Sequence, residues 1–179
     1  AVAELKALTA SNPADLEAWT ALGDTYRSTQ KFAEASIAYD HAIALLSPVK
    51  AKDWPIYFAR AVSEEGAKNW NAAEVDLKKA LQLAPDEPAV LNYLGYSYVD
   101  QNRNIAEALA MLEKARSLRP TDGYITDSVG WAYYTLGRYT DAAKTLESAV
   151  ELIPGDSTIN DHLGDAYWHV GRKREARFE

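Results

Sequence analysis

The sequence has no cysteine. That excludes a disulfide scaffold, thiolate-held zinc and a cysteine nucleophile. Methionine occurs once, as Met111, so the chain starts without an initiator. Phenylalanine is scarce, with 3 residues against 11 tyrosines and 5 tryptophans. The skew favours rings with an apolar body and a polar tip, which suit wet grooves. Basic charge is outweighed: 19 Lys and Arg face 26 Asp and Glu, a net charge of -7. A chain-wide basic surface for nucleic acid is therefore absent. No stretch approaches the roughly 18–20 apolar residues of a membrane span. The start, Ala1-Val2-Ala3-Glu4-Leu5-Lys6, lacks the apolar core of a signal peptide. The 9 glycines are scattered along the chain, so no phosphate-cradling loop is present. What remains is an apolar share of 47%, enough to build a folded core.

What is there repeats itself. Leu22-Gly23 with Tyr26 recurs as Leu94-Gly95 with Tyr98, Val129-Gly130 with Tyr133 and Leu163-Gly164 with Tyr167. Gly95 to Gly130 is 35 residues and Gly130 to Gly164 is 34. A weaker copy, Arg60-Ala61 with Glu64, lies between the first two. A second pattern interleaves: Ala35, Tyr39 and Ala42, then Ala73, Leu77 and Ala80, then Ala108, Leu112 and Ala115, then Ala142, Leu146 and Ala149. Steps of three and four put each set on one face of a helix. Pro13, Pro48, Pro85, Pro120 and Pro154 close the units, as a residue that stops one helix and opens the next. The spacing predicts an opening helix over 1–10, then helix pairs over 14–29 with 32–46, 54–67 with 71–83, 87–101 with 105–118 and 122–136 with 139–152. A last helix is predicted over 156–170. The turns within pairs carry Gly or Asn at several places, which suits a left-handed helix C-cap.

These residues resemble tetratricopeptide repeats over nearly the whole chain. Trp19, Leu22, Gly23, Tyr26, Ala35 and Tyr39 stand in that family's order, and the repeat from Gly123 to Pro154 fits it best. The resemblance implies an all-α fold, a right-handed superhelical solenoid of antiparallel helix pairs. Its expected units are a closing helix of a preceding repeat over 1–13, repeats over 14–48, 49–85, 86–120 and 121–154, and a truncated repeat over 155–179, within one solenoid over 1–179. The repeat over 49–85 departs most, with Ala61 and Glu64 where Gly and Tyr are usual. The length is thus read as a cut through a longer array. The third to fifth repeats also resemble the C-terminal repeats of larger proteobacterial proteins of this family. Several of those carry secretion signals or lipid anchors, which implies a bacterial envelope or periplasm as one setting and leaves the cytoplasm open.

In this family the first helix of each pair lines the concave face. The residues expected there include Asn92, Tyr96, Asp127, Trp131, Tyr134, Asp161, Asp165 and Trp168. Asn92, Asp127 and Asp161 occupy equivalent positions, a candidate polar ladder with aromatic rings interleaved. Such a face could satisfy an extended peptide's backbone and offer apolar walls. The expected function is therefore a scaffold or adaptor that binds a protein or peptide partner through basic or apolar segments. The alternative for the same residues is a solvated or packed inner face. A second class of function is a structural spacer or a homo-oligomer stacking through terminal helices. The turn cations Lys31, Lys68, Arg103, Arg138 and Arg172 read either as a strip for an anionic partner or as complements to helix C-termini, worth about 0.3–1 kcal/mol each. No catalytic constellation, metal site or cofactor is expected. Ser28 and Lys31 form a formal Ser-x-x-Lys at a helix end, and the step of four through Asp161, Asp165 and His169 is explained by exposed groove residues.

Overall fold

The computed structural model describes residues 1–177 and contains two compact units, the first Ala1–Pro85 and the second from Asp86 onward. Among the described residues every regular element is helical. The first unit holds α1 (Val2–Ser11), α2 (Leu16–Ser28), α3 (Phe32–Ala44), α4 (Trp54–Gly66) and α5 (Trp70–Leu83). The second holds α6 (Pro88–Asp100), α7 (Ile105–Leu118), α8 (Gly123–Thr135), α9 (Tyr139–Leu152) and α10 (Ser157–His169). Each helix ends within two residues of its expected bounds. Single 3-10 turns at Ala51–Asp53 and Glu175–Arg177 were not anticipated. The first sits in the longest connection, where buried Asp53 accepts the Lys50 N–H at 2.7 Å.

Local chemistry starts and stops these helices. Asp15, Asp122 and Asp156 cap α2, α8 and α10, Asp15 accepting one backbone N–H of the opening turn and the other two accepting two each. The turns that follow α2, α4, α6, α8 and α10 all close the same way. A residue with positive φ follows the helix: Gln30, Lys68, Asn102, Gly137 and Gly171. The next N–H then returns to the carbonyl five residues back, as in Lys31 to Tyr26, Asn69 to Glu64 and Arg172 to Tyr167. This is the Schellman geometry, which satisfies carbonyls the helix leaves open. Gln30 and Lys68 adopt it without the glycine or asparagine expected at such sites.

Packing follows the two sequence patterns. All twelve residues of the interleaved Ala, Tyr-or-Leu, Ala series are fully buried. The glycines of the first pattern allow the approach: a Cβ on Gly23 would lie 2.6 Å from the Tyr39 ring, and one on Gly95 2.8 Å from Leu112 Cγ. In the first unit the Tyr39 hydroxyl, raised well above the usual tyrosine range mainly by burial, donates to Asp24 at 2.7 Å.

The divergent second repeat has its own logic. Arg60 on α4 donates through Nε and Nη2 to both oxygens of buried Asp76 on α5, at 2.6 and 2.7 Å. Its Nη1 reaches Asp40 on α3 at 2.5 Å. Glu64 lies one turn on, where the other repeats place tyrosine, and its Oε2 is buried without a hydrogen-bond partner. Burial and the neighbouring Asp76 and Asp40 charges push its carboxyl up to about 7, against the opposing pull of Arg60. A carboxyl raised in the folded state contributes stability that is fully present below its ordinary value of 4.5 and is lost as pH rises through 7. Glu64→Gln should therefore match wild type near pH 5 and exceed it at pH 8, by about 1 kcal/mol or less because the group is half exposed. Urea midpoints at the two pH values measure this, and an equal difference at both would refute it.

Candidate functional site

Eight residues were expected to share one face, and all lie in the second unit, on α6, α8 and α10. The periodicity that places them is plain. Asn92, Tyr96 and Val99 on α6 correspond to Asp127, Trp131 and Tyr134 on α8, and these to Asp161, Asp165 and Trp168 on α10. Each set steps by four and then three, so it forms a stripe along its helix. Within the unit, α8 packs beside both α6 and α10.

The three stripes meet different surroundings. On α6, Asn92 is half-buried, and its Oδ1 is shielded from solvent without a hydrogen-bond partner. Half-buried Tyr96 has its hydroxyl shifted upward, first by burial and then by the Asp100 and Asp127 charges. On α8, Asp127 is buried and accepts a 2.8 Å bond from His162 Nδ1 of α10, which places a proton on that ring nitrogen. Trp131 lies between two rings, stacked on His162 at 4.1 Å and on Tyr134 at 4.7 Å. Tyr134 then meets Tyr139 and His169 edge-on, at 5.4 and 5.2 Å. Burial, followed by the charge of Asp165, raises its hydroxyl. On α10, Asp161, Asp165 and Trp168 are all exposed. They line a cleft of about 420 Å³ with Gly164 and Ala176.

The structure thus brings Asp127, Trp131 and Tyr134 into one aromatic cluster and leaves the α10 stripe open. Asp161 does not meet Asp127; its neighbour His162 does. His162 and Tyr139 complete the cluster and were absent from the expected set, and His169, expected on the α10 groove face, joins them. Their signal was faint: His162 follows Asp127 by 35 residues, one more than Asp161. Among the described residues no group of His, Asp or Glu is arranged to hold a metal ion, and no helix is long and apolar enough to cross a membrane.

Charge is partitioned sharply. None of α6, α8 and α10 carries a Lys or Arg, whereas Asp100, Asp127, Asp161 and Asp165 lie on them. Two of the turn cations, Arg138 and Arg172, are engaged with neighbouring rings and carboxylates. Arg138 lies 4.3 Å from the Tyr133 ring and pairs with Asp141 at 2.7 Å. Arg172 lies 3.9 Å from the Tyr167 ring and pairs with Glu147 and Glu175. The two tyrosines donate to Glu113 at 2.6 Å and Glu147 at 2.9 Å, a module repeated 34 residues apart.

Comparison with known proteins agrees with this architecture. The tetratricopeptide repeat profile matches residues 16–45, 97–157 and 129–179, together more than half the chain. A TPR repeat-containing protein of Pseudomonas aeruginosa is 33% identical over 93 residues, covering 52% of this chain and 16% of that protein. The cytochrome c-type biogenesis protein CycH of Rhizobium meliloti is 34% identical over 113 residues, covering 63% of this chain and 29% of its own length. The chain therefore spans less than a third of these curated relatives. The crystal structure of YrrB, described as a TPR protein with an unusual peptide-binding site, superposes with a TM-score of 0.75 at 19% identity, over 98% of this chain and 88% of that one. Fold, repeat pattern and profile converge: the chain belongs to the tetratricopeptide repeat family, whose fold serves as a scaffold for protein–protein interaction.

Proposed function

We propose that this chain is a non-catalytic interaction scaffold whose second unit binds a basic, extended segment of a partner protein along α6, α8 and α10. The observation that carries the reading is the charge partition. Three neighbouring first helices lack any Lys or Arg and present Asp161 and Asp165 to solvent beside exposed Trp168. Carboxylates near aromatic surface attract cationic side chains and offer rigid apolar area at low entropy cost. The peptide-binding site reported for YrrB supports the reading by analogy of fold.

The test titrates fluorescein-labelled twelve-residue peptides of basic, apolar and acidic composition. Wild type is compared with an Asn92→Ala/Tyr96→Ala/Asp161→Asn variant. Basic peptides should bind, weaken about tenfold in the variant, and weaken further as salt rises. Acidic peptides bound as tightly as basic ones, or binding unchanged by the variant, would refute the assignment.

A further inference from the structure

We infer that the α10 cleft is a pocket for an arginine side chain of the bound segment, and that Lys173 of the chain's own tail is its resident competitor. This rests on the peptide-binding reading above and names the side chain recognised there. The cleft is lined by Asp161, Gly164, Asp165, Trp168 and Ala176. Trp168 is 51% exposed, a large ring area for water to meet. Neither the Asp161 nor the Asp165 carboxylate has a hydrogen bond or ion pair among the described residues. The Asp165 backbone carbonyl, by contrast, accepts from His169 Nδ1 at 3.0 Å.

The α8 stripe shows what such a site holds when filled. Asp127, the counterpart of Asp161, accepts a 2.8 Å bond from a ring N–H of His162. The same His162 ring stacks at 4.1 Å on Trp131, the counterpart of Asp165. One planar nitrogen donor thus satisfies a carboxylate through its edge and an aromatic ring through its face. The α10 stripe repeats the ingredients in the same register, with a second carboxylate added and the aromatic one turn further on. A planar donor that also carries a full positive charge is a guanidinium, which bonds carboxylates through its edge and stacks on rings through its face.

The chain's own cations identify the preference. Lys173 places its ammonium 4.8 Å from the Trp168 ring centroid and pairs with neither aspartate. The aromatic wall already attracts a cation, while the carboxylates stay open. Arg172, next to Lys173 in the chain, is held by Glu147, Glu175 and the Tyr167 ring and is not available. An arginine from a partner would displace Lys173 from Trp168 and engage the two aspartates at once.

The experiment uses three probes, acetyl-Gly-Ala-X-Ala-Gly-amide with X as arginine, lysine or citrulline. Citrulline keeps the planar shape and removes the charge. Binding is followed through the Trp168 indole N–H resonance, assigned with Trp168→Phe. The arginine peptide should shift that resonance and bind at least fivefold tighter than the citrulline peptide, with lysine between them. Lys173→Ala should tighten arginine binding about threefold, and Asp161→Asn/Asp165→Asn should weaken it about tenfold. These positions are exposed, so the fold is not at stake, and circular dichroism checks it. Equal affinity for arginine and citrulline overturns the pocket, as does arginine binding that leaves Trp168 unshifted. No effect of Lys173→Ala overturns the competitor role. Loss of arginine selectivity alone, with twelve-residue basic peptides still sensitive to Asn92 and Tyr96, would leave the wider groove reading standing. Failure of every peptide with wild type would remove both.

Discussion

Replacing Arg60 with alanine is expected to destabilise the first unit by about 3–5 kcal/mol at pH 7, the largest effect of any single polar substitution in the chain. The reason is Asp76. Its side chain is 4% exposed and its two oxygens each receive a guanidinium N–H from Arg60. Removing the arginine leaves a buried carboxylate with no counter-charge, which costs far more than the net worth of the pair. Asp40 contributes little to the loss, because at 59% exposure water can replace its arginine contact. Glu64 adds to it, since Arg60 is the one cation that lowers its carboxyl against burial and two nearby acids. The unit has a partial escape: at acid pH Glu64 is protonated and no longer needs Arg60. The penalty in Arg60→Ala should therefore shrink toward pH 4, whereas a pure packing loss would not. Arg60→Met with Asp76→Asn should recover much of the stability by removing both charges at similar volume. Chemical denaturation at pH 7 and pH 4 reads all three variants. A loss below 1 kcal/mol for Arg60→Ala would mean the network behaves as an ordinary surface pair.

That network also marks where the sequence stopped being readable. The buried Ala, Tyr-or-Leu, Ala series was legible because its spacing repeats within one helix, and burial there follows from periodicity alone. Arg60 and Glu64 were visible only as departures from the Leu-Gly and Tyr positions. The partners of Arg60 lie 16 residues ahead in Asp76 and 20 behind in Asp40, on two other helices, and no local pattern links them. The same distinction holds on the candidate face. Equal spacing put Asn92, Asp127 and Asp161 in register, which is a statement about helix faces. Which neighbour each one meets depends on how the next helix is rotated and which rotamers fit. The structure answers with His162 against Asp127, and with open solvent around Asp161. The turns show a third limit. Gly137 and Gly171 announce the left-handed cap, but Lys68 and Gln30 adopt it under the demand of the Schellman bonds, against their own preference.

The close approach of α8 and α9 yields a prediction in which one substitution reverses sign. Leu146 is fully buried, and its truncation to alanine should cost about 2–5 kcal/mol through lost burial and the cavity left behind. Gly130 faces it across the helix contact: a Cβ there would lie 2.6 Å from Leu146 Cγ and 2.8 Å from Cδ2. Gly130→Ala in wild type sets two effects against each other. Overlap with Leu146 costs about 1–3 kcal/mol, while alanine in a helix interior gains about 1 kcal/mol over glycine. The net should be destabilising. In the Leu146→Ala background the overlap is gone, and the new methyl enters the vacated space. Only the helical gain and some refilled volume remain, so Gly130→Ala should there be neutral or stabilising. The double-mutant cycle would then show a coupling of roughly 1–3 kcal/mol, as expected for side chains in direct contact. Thermal or urea unfolding of the four proteins measures it. If Gly130→Ala destabilises both backgrounds equally, contact with Leu146 is not what requires glycine at the recurring Gly position. If the sign reverses, the Gly of each Leu-Gly or Val-Gly pair that faces a large side chain, Tyr39, Leu112 or Leu146, is explained by helix approach alone, without any role in binding.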